Sequence, residues 1–297
     1  MDNDNIKKSG DKLSSAFMTG ILINIVFVAV EAVYGYLANS MALVADAGHN
    51  LSDVLALGLS WVAVVLSMRK PTRRFTYGFR RSTILAALLN TILLLVAVAI
   101  ILWETISRIG RTEEINSKDV MIIAGIGILV NGFTAWLFMK DNKRDLNVRS
   151  AFLHFVADAI VSLGVVVAGF VMAVTGITWI DSVTSIIISG VILYSAYHLL
   201  IDSVNLSLDA VPENINIEEV REFLGSVPGV NGVHDLHIWA LGTTTAALTV
   251  HISTGQQTDN VFINDIRNEL HRKFRIEHTT IQIEYGNNAD CIEKICN

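Results

Sequence analysis

Three ionisable side chains fall within eight residues in Asp46-Ala47-Gly48-His49-Asn50-Leu51-Ser52-Asp53, inside an apolar run, 41–67, long enough to cross a bilayer. An ionisable group in hydrocarbon costs at least ~2.5–3.5 kcal/mol on insertion scales, so it is rare there without a partner or a task. His49 and Asp53 are four residues apart and Asp46 is three before His49, which on a helix sets all three on nearly one face. A second apolar run repeats the spacing in His154-Phe155-Val156-Ala157-Asp158. One such pair is explained by interhelical hydrogen bonding alone; its duplication in a second span argues against that. Two such helices facing each other would offer two imidazoles and two carboxylates, a tetrahedral set suited to zinc or a similar divalent ion.

The charges point the same way. Basic residues are nearly absent from these runs, so Asp46, Asp53 and Asp158 have no lysine or arginine to neutralise them. A divalent ion does so, because two carboxylates cancel its charge. When it leaves, neighbouring carboxylates in a low-dielectric site cannot all stay ionised and take up protons, which returning metal displaces. A site that faces each side of a membrane in turn then exchanges metal for protons.

The elements that must position these residues are spans. Of 297 residues, 52% are apolar and 17% charged, and the mean hydropathy is +0.50. Six segments of sufficient length stand at 17–38, 41–67, 82–108, 120–139, 151–175 and 179–201. Lysines 7, 8 and 12 precede the first, which is too long for a signal-peptide core and reads as an uncleaved span. Basic residues gather at the N-terminus, in 69–81 and in 140–144, so the positive-inside rule predicts that both termini are cytoplasmic. The net charge of −6 is unevenly placed and says little about partners, and no nucleic-acid partner is expected. The two cysteines, Cys291 and Cys296, rule out a disulfide framework and suggest a reduced tail.

From about residue 205 the composition becomes that of a soluble domain. A helix at 217–224, strands at 232–241 and 244–253 about a turn at Gly242-Thr243, a helix at 259–274 and a strand at 279–285 give the order α-β-β-α-β. That order predicts a small open sheet with helices on one face. The expected organisation is a cytosolic tail (1–16), a six-span domain (17–204) and a cytosolic domain with a tail (205–297).

The stretch from Ser40 to Asp53 resembles the second-span signature of the cation diffusion facilitator family. Phe75-Thr76-Tyr77-Gly78-Phe79-Arg80-Arg81, His154 to Asp158 with Ser162-Leu163-Gly164, and His234-Asp235-Leu236-His237-Ile238-Trp239 resemble it too. The resemblance implies an α-helical membrane protein with six transmembrane helices and a cytosolic α+β domain of ferredoxin-like or metallochaperone-like type. It implies a homodimeric antiporter of the cell (inner) membrane that exports Zn²⁺ from the cytosol against H⁺, with His49, Asp53, His154 and Asp158 as ligands. A histidine in the first position of the second-span pair goes with zinc in this family, and imidazole suits zinc better than carboxylates alone. Asp46 belongs to the pattern outside the ligand set, with a supporting or gating role. Glu31 has either a hydrogen-bonding or a proton-path role. In the soluble domain His234, His251 and Glu284, with His278 just before the last strand, resemble the family's cytosolic zinc site; His237 is a ligand or a neighbour, and Cys291 and Cys296 add soft donors.

Two features depart from the pattern. The 68–81 loop is arginine-rich without histidine, so its basic residues should meet lipid phosphates or the cytosolic domain instead of metal. No histidine-rich tract follows span four. An intramembrane zinc hydrolase is disfavoured, because H-E-x-x-H is absent and two H-x-x-x-D pairs would close the coordination shell, so the chain is not expected to be an enzyme. A metal-gated receptor or channel stays open, as do iron, cobalt and cadmium as substrates.

Overall fold

The computed structural model describes residues 22–110, 114–139, 146–255 and 258–285. The basic stretch 140–144, residues 1–21 and both cysteines lie outside them. In hydrocarbon every backbone polar group must be satisfied within the chain, and long apolar runs therefore become helices. These are α1 (Leu22–Leu37), α2 (Met41–Ser67), α3 (Ser82–Arg108), α4 (Ser117–Phe138), α5 (Leu146–Thr175) and α6 (Trp179–Ser207). Five of them, α2 to α6, are long and apolar enough to cross a membrane. The described part of α1 is about 24 Å long at 1.5 Å per residue.

Contacts divide the chain into two units, 22–58 with 90–198, and 59–89 with 199–285. The first is helical. Its core joins Phe27, Leu43, Val98, Val120, Ile123, Val165, Met172 and Ile188. Helices α4 and α5 approach closely because they carry glycines where they meet. A Cβ at Gly127 would lie 2.9 Å from both the Phe27 ring and Ser162 Oγ, and one at Gly169 2.8 Å from Met121 Cγ. Small residues serve membrane helices this way, since lipid supplies no hydrophobic drive for helices to associate. Buried hydrogen bonds add to the packing, from Asn24 Nδ2 to Thr134 Oγ1 at 3.3 Å and between Thr105 and Ser185 hydroxyls at 3.0 Å.

The second unit contains a three-stranded sheet in the order β1-β2-β3, formed by Val230–Gly242, Thr245–Thr254 and Ile276–Tyr285. β1 and β2 are antiparallel about the two-residue turn Thr243-Thr244. β3 runs parallel to β2 after a crossover through α8 (Asn260–Phe274). α7 (Ile217–Gly225) precedes the sheet. Side chains cap both helices: Asn216 accepts from Glu218 N at 3.0 Å, and Asp259 accepts from Phe262 N at 3.0 Å. Val220, Leu224, Leu248, Ile252, Ile266 and Leu270 form a core of the domain's own.

The arginine-rich loop belongs to this unit and meets the sheet domain. Arg80 pairs with Glu277 at 3.2 Å, Arg81 pairs with Asp209, and Thr83 Oγ1 accepts from Thr243 N at 3.0 Å. Gly242 is required there, because a Cβ would come within 2.9 Å of the Arg80 carbonyl.

Candidate metal centres

Helices α2 and α5 run antiparallel through the first unit, so rising residue number on one meets falling number on the other. His49 meets Asp158, Asp53 meets His154, and one turn further Asp46 meets Ser162. The i,i+4 spacing on each helix supplies the other two edges. The resulting separations are His49 Nε2–Asp53 Oδ2 3.7 Å, His49 Nε2–Asp158 Oδ1 3.6 Å, His154 Nε2–Asp53 Oδ2 3.3 Å and His154 Nε2–Asp158 Oδ2 3.5 Å. These are long for hydrogen bonds. They are close to the roughly 3.3–3.4 Å that separates neighbouring ligand atoms about metal–nitrogen and metal–oxygen bonds of about 2.0–2.1 Å, with Asp158 facing His49 through Oδ1 and His154 through Oδ2. Asp53, His154 and Asp158 form the tightest group, with ligand atoms within 4.8 Å of one another. His49 lies within 3.7 Å of both carboxylates, its ring centroid 6.2 Å from that of His154. Asp158 is buried, while the side chains of Asp53 and His154 are 34% and 40% exposed.

Behind this cluster lies a fully buried polar layer. Asn50 Nδ2 donates to Glu31 Oε2 at 3.1 Å, and Ser162 Oγ donates to Asp46 Oδ2 at 3.2 Å. Glu31 and Asp46 are both 0% exposed. Asp46 thus faces Ser162, outside the four-residue group, although it shares a helix face with His49.

The second cluster is built on the sheet. His234 and His251 are directly paired across β1 and β2, and Glu284 on β3 spans them, with Oε2 3.1 Å from His234 Nε2 and Oε1 3.0 Å from His251 Nδ1. The three ligand atoms lie within 4.8 Å of one another. Asp235 joins them, at 3.5 Å from His251 Nε2 and 2.9 Å from His237 Nε2. Strand alternation would point Asp235 away from His234, so spacing alone gave no reason to include it. A bulge between His234 and His237, with Asp235 at φ 50°, turns it back. Among the described residues, His237 meets the group through Asp235.

His278 is a correction. β3 starts at Ile276, so His278 sits inside the strand and pairs with Ala247, its ring 5.1 Å from that of Tyr77. Six residues of strand, about 20 Å, separate it from Glu284. Cys291 and Cys296 lie outside the described residues.

Apolar spans with a His₂Asp₂ cluster between two of them, followed by a sheet domain with a second imidazole–carboxylate cluster, define a multi-pass membrane protein that handles a metal ion. Residues 17–206 match the family description "Cation efflux transmembrane domain", and residues 212–285 match "Cation efflux protein, cytoplasmic domain". The chain belongs to the cation diffusion facilitator family. It is 38% identical over 262 residues to zinc transporter ZitB of Escherichia coli K12, covering 87% of this chain and 83% of that one. It is 33% identical over 289 residues to the cadmium, cobalt and zinc/H(+)-K(+) antiporter of Bacillus subtilis 168, covering 95% and 90%. The solved metal-bound C-terminal domain of the CzcD transporter from Cupriavidus metallidurans is 38% identical, covering 24% of this chain and 99% of that one, with a TM-score of 0.22.

Proposed function

We propose that this protein exports Zn²⁺ from the cytosol in exchange for protons by alternating access, and that His49, Asp53, His154 and Asp158 are the ligands of the transported ion. The observation that carries the reading is the set of four nitrogen–oxygen separations, 3.3–3.7 Å, between two antiparallel spans. Two ionised carboxylates cancel the charge of a divalent ion, and neutral imidazoles favour zinc over magnesium or calcium. Displacing α2 against α5 separates the two pairs and releases the ion. The carboxylates left in a low-dielectric site then take protons, which the next ion displaces.

The chain would act as a homodimer of six spans (17–204), with the described part of α1 belonging to the first. The αββαβ domain (205–297) would be cytosolic, both termini cytoplasmic, and the membrane the cell inner membrane. His234, His251 and Glu284, with Asp235 beside them, would hold a resident zinc that stabilises the sheet domain. Asp46 and Glu31 would support the transport site, and no covalent chemistry is involved. Cadmium and cobalt are the alternative cargoes, as the name of the Bacillus relative suggests for that protein.

Proteoliposome flux tests this reading. Zn²⁺ uptake should require an opposing pH gradient and be lost in His49→Ala. Zinc movement at unchanged rate without proton counterflow would replace the antiporter with a channel.

A further inference from the structure

Asp181, in the first turn of α6, is 1% exposed and lies in none of the clusters described. Its carboxylate is spent on the start of another helix. Ser40 Oγ donates to Oδ1 at 2.5 Å, Met41 N donates to Oδ2 at 2.6 Å, and Ala42 N donates to Oδ2 at 3.3 Å. The first N–H groups of a helix have no partner within it and carry the positive end of its dipole. Asp181 therefore satisfies α2 while standing in the first turn of its own helix, so two helix N-termini hold one buried charge.

The same end of α2 is tied elsewhere. Asn39, in a left-handed conformation at φ 57°, precedes it. Arg108 of α3 donates to Asn39 Oδ1 at 2.5 Å, and Asn116 N donates to the Ala38 carbonyl at 3.1 Å. Burial follows this pattern along α2. Met41, Ala42, Leu43, Ala45 and Asp46 are 5% exposed or less, whereas Leu51, Leu55 and Leu57 are 47% to 53% exposed. On the inward face of α5 Ser162, Val165, Ala168 and Met172 are buried while the His154 side chain is 40% exposed; Leu163, Val167, Phe170 and Val174 on its other face are 51% to 70% exposed. Burial is thus greatest where α2 begins, and the two exposed ligands, Asp53 and His154, lie toward the end of α2 that leads into the basic loop.

We propose that Asp181 is a positioning residue: it latches the outer end of α2 against α6 while the four-ligand site is accessible from the cytosol, and α2 must leave it for the ion to exit. This rests on the transport reading above for what lies inside and outside. Charged hydrogen bonds suit a latch, because they hold firmly yet are few enough to exchange.

The test uses the full chain in right-side-out membrane vesicles, stripped of zinc, carrying Ala42→Cys as a reporter for a membrane-impermeant maleimide. Asp181→Asn keeps the shape but removes the charge, and charge-assisted bonds are about twice as strong as neutral ones, so labelling should speed up roughly tenfold. Ser40→Ala removes one of the three bonds and should speed it up roughly threefold. Zinc affinity of the purified full chain should stay within about twofold, because the open state is still the minor one. Unchanged labelling in both variants overturns the latch. So does faster labelling accompanied by a matching loss of zinc affinity, which would mark a collapsed site. If Asp181→Asn does not insert, Ser40→Ala decides by itself. Flux is not read in this assay, so a chain that carried no zinc would defeat the transport reading and leave the latch measurement standing.

Discussion

The membrane cluster and the sheet cluster use the same donors on supports of opposite stiffness. Each helix fixes one H-x-x-x-D pair, but only the packing of α2 on α5 fixes the distance between pairs. A helix shift of about 1–2 Å, common in switching proteins, would pull the four atoms out of range of one ion. In the sheet, His234 and His251 are opposite residues of a hydrogen-bonded ladder, and Glu284 stands on the strand bonded to the other side of β2. Strands sit about 4.7–4.9 Å apart, so that cluster cannot open without breaking backbone bonds. The donor set says that both can hold a metal. The scaffold says which one can let go, and on this reading the first takes a cargo and the second a resident ion.

The hardest test of that division removes one ligand from each. Asp158→Ala takes away the buried carboxylate shared by both histidines, and zinc flux in proteoliposomes should fall more than about 100-fold. His234→Ala should leave the initial rate within about threefold, since that cluster supports the domain without carrying the ion. Equal losses would erase the distinction. Stability should respond in the opposite sense. The sheet domain has its own core, so 205–297 can be melted alone, and zinc at about 100 times its Kd adds about 2.7 kcal/mol. That corresponds to a rise in Tm on the order of 10 °C. The rise should vanish in His251→Ala, and a full rise in that variant would move the metal elsewhere.

The sequence made the membrane cluster legible for a reason peculiar to helices. A period of 3.6 residues converts a four-residue spacing into a shared face, and the polar interruptions that bound the runs place the ends of α2 and α3 at Met41–Ser67 and Ser82–Arg108. Two residues escaped because their partners are not written in spacing. Asp181 bonds to backbone N–H groups about 140 positions earlier, which any residue type could supply. Asp235 was hidden by the alternation rule that made its neighbours visible, because a bulge suspends the rule there. His278 shows the converse error. The strand began three residues earlier than the alternation suggested, and that left a histidine next to Tyr77 instead of in the cluster.

Selectivity refines the comparison at smaller amplitude. His49→Asp replaces one imidazole of the cargo site with a carboxylate that can bind through two oxygens and so suits a larger ion with a higher coordination number, and the zinc-to-cadmium flux ratio should fall by about tenfold. An unchanged ratio would mean that selectivity resides in the shape of the pathway instead of the donor atoms.

The smallest effect separates metal from ordinary surface charge in the sheet domain. Acid should weaken the zinc-loaded domain by two routes, because protons compete with the metal for its ligands and surface carboxylates lose their charge. Glu269 exemplifies the second. A hydrogen bond from Arg272 at 2.7 Å, with Lys273 3.5 Å away, holds its carboxyl below the usual glutamate range. Its folded value is depressed, so its contribution is present above the unfolded value and lost as pH falls through the folded one. Both partners are exposed, so Glu269→Gln should lower Tm at neutral pH by no more than about 2–3 °C, and the difference should close in acid. The zinc-dependent rise in Tm should be the same in the two proteins at every pH. If Glu269→Gln altered that rise, the acid sensitivity would belong to the whole charged surface of α8, and the sheet cluster would lose its standing as an independent metal support.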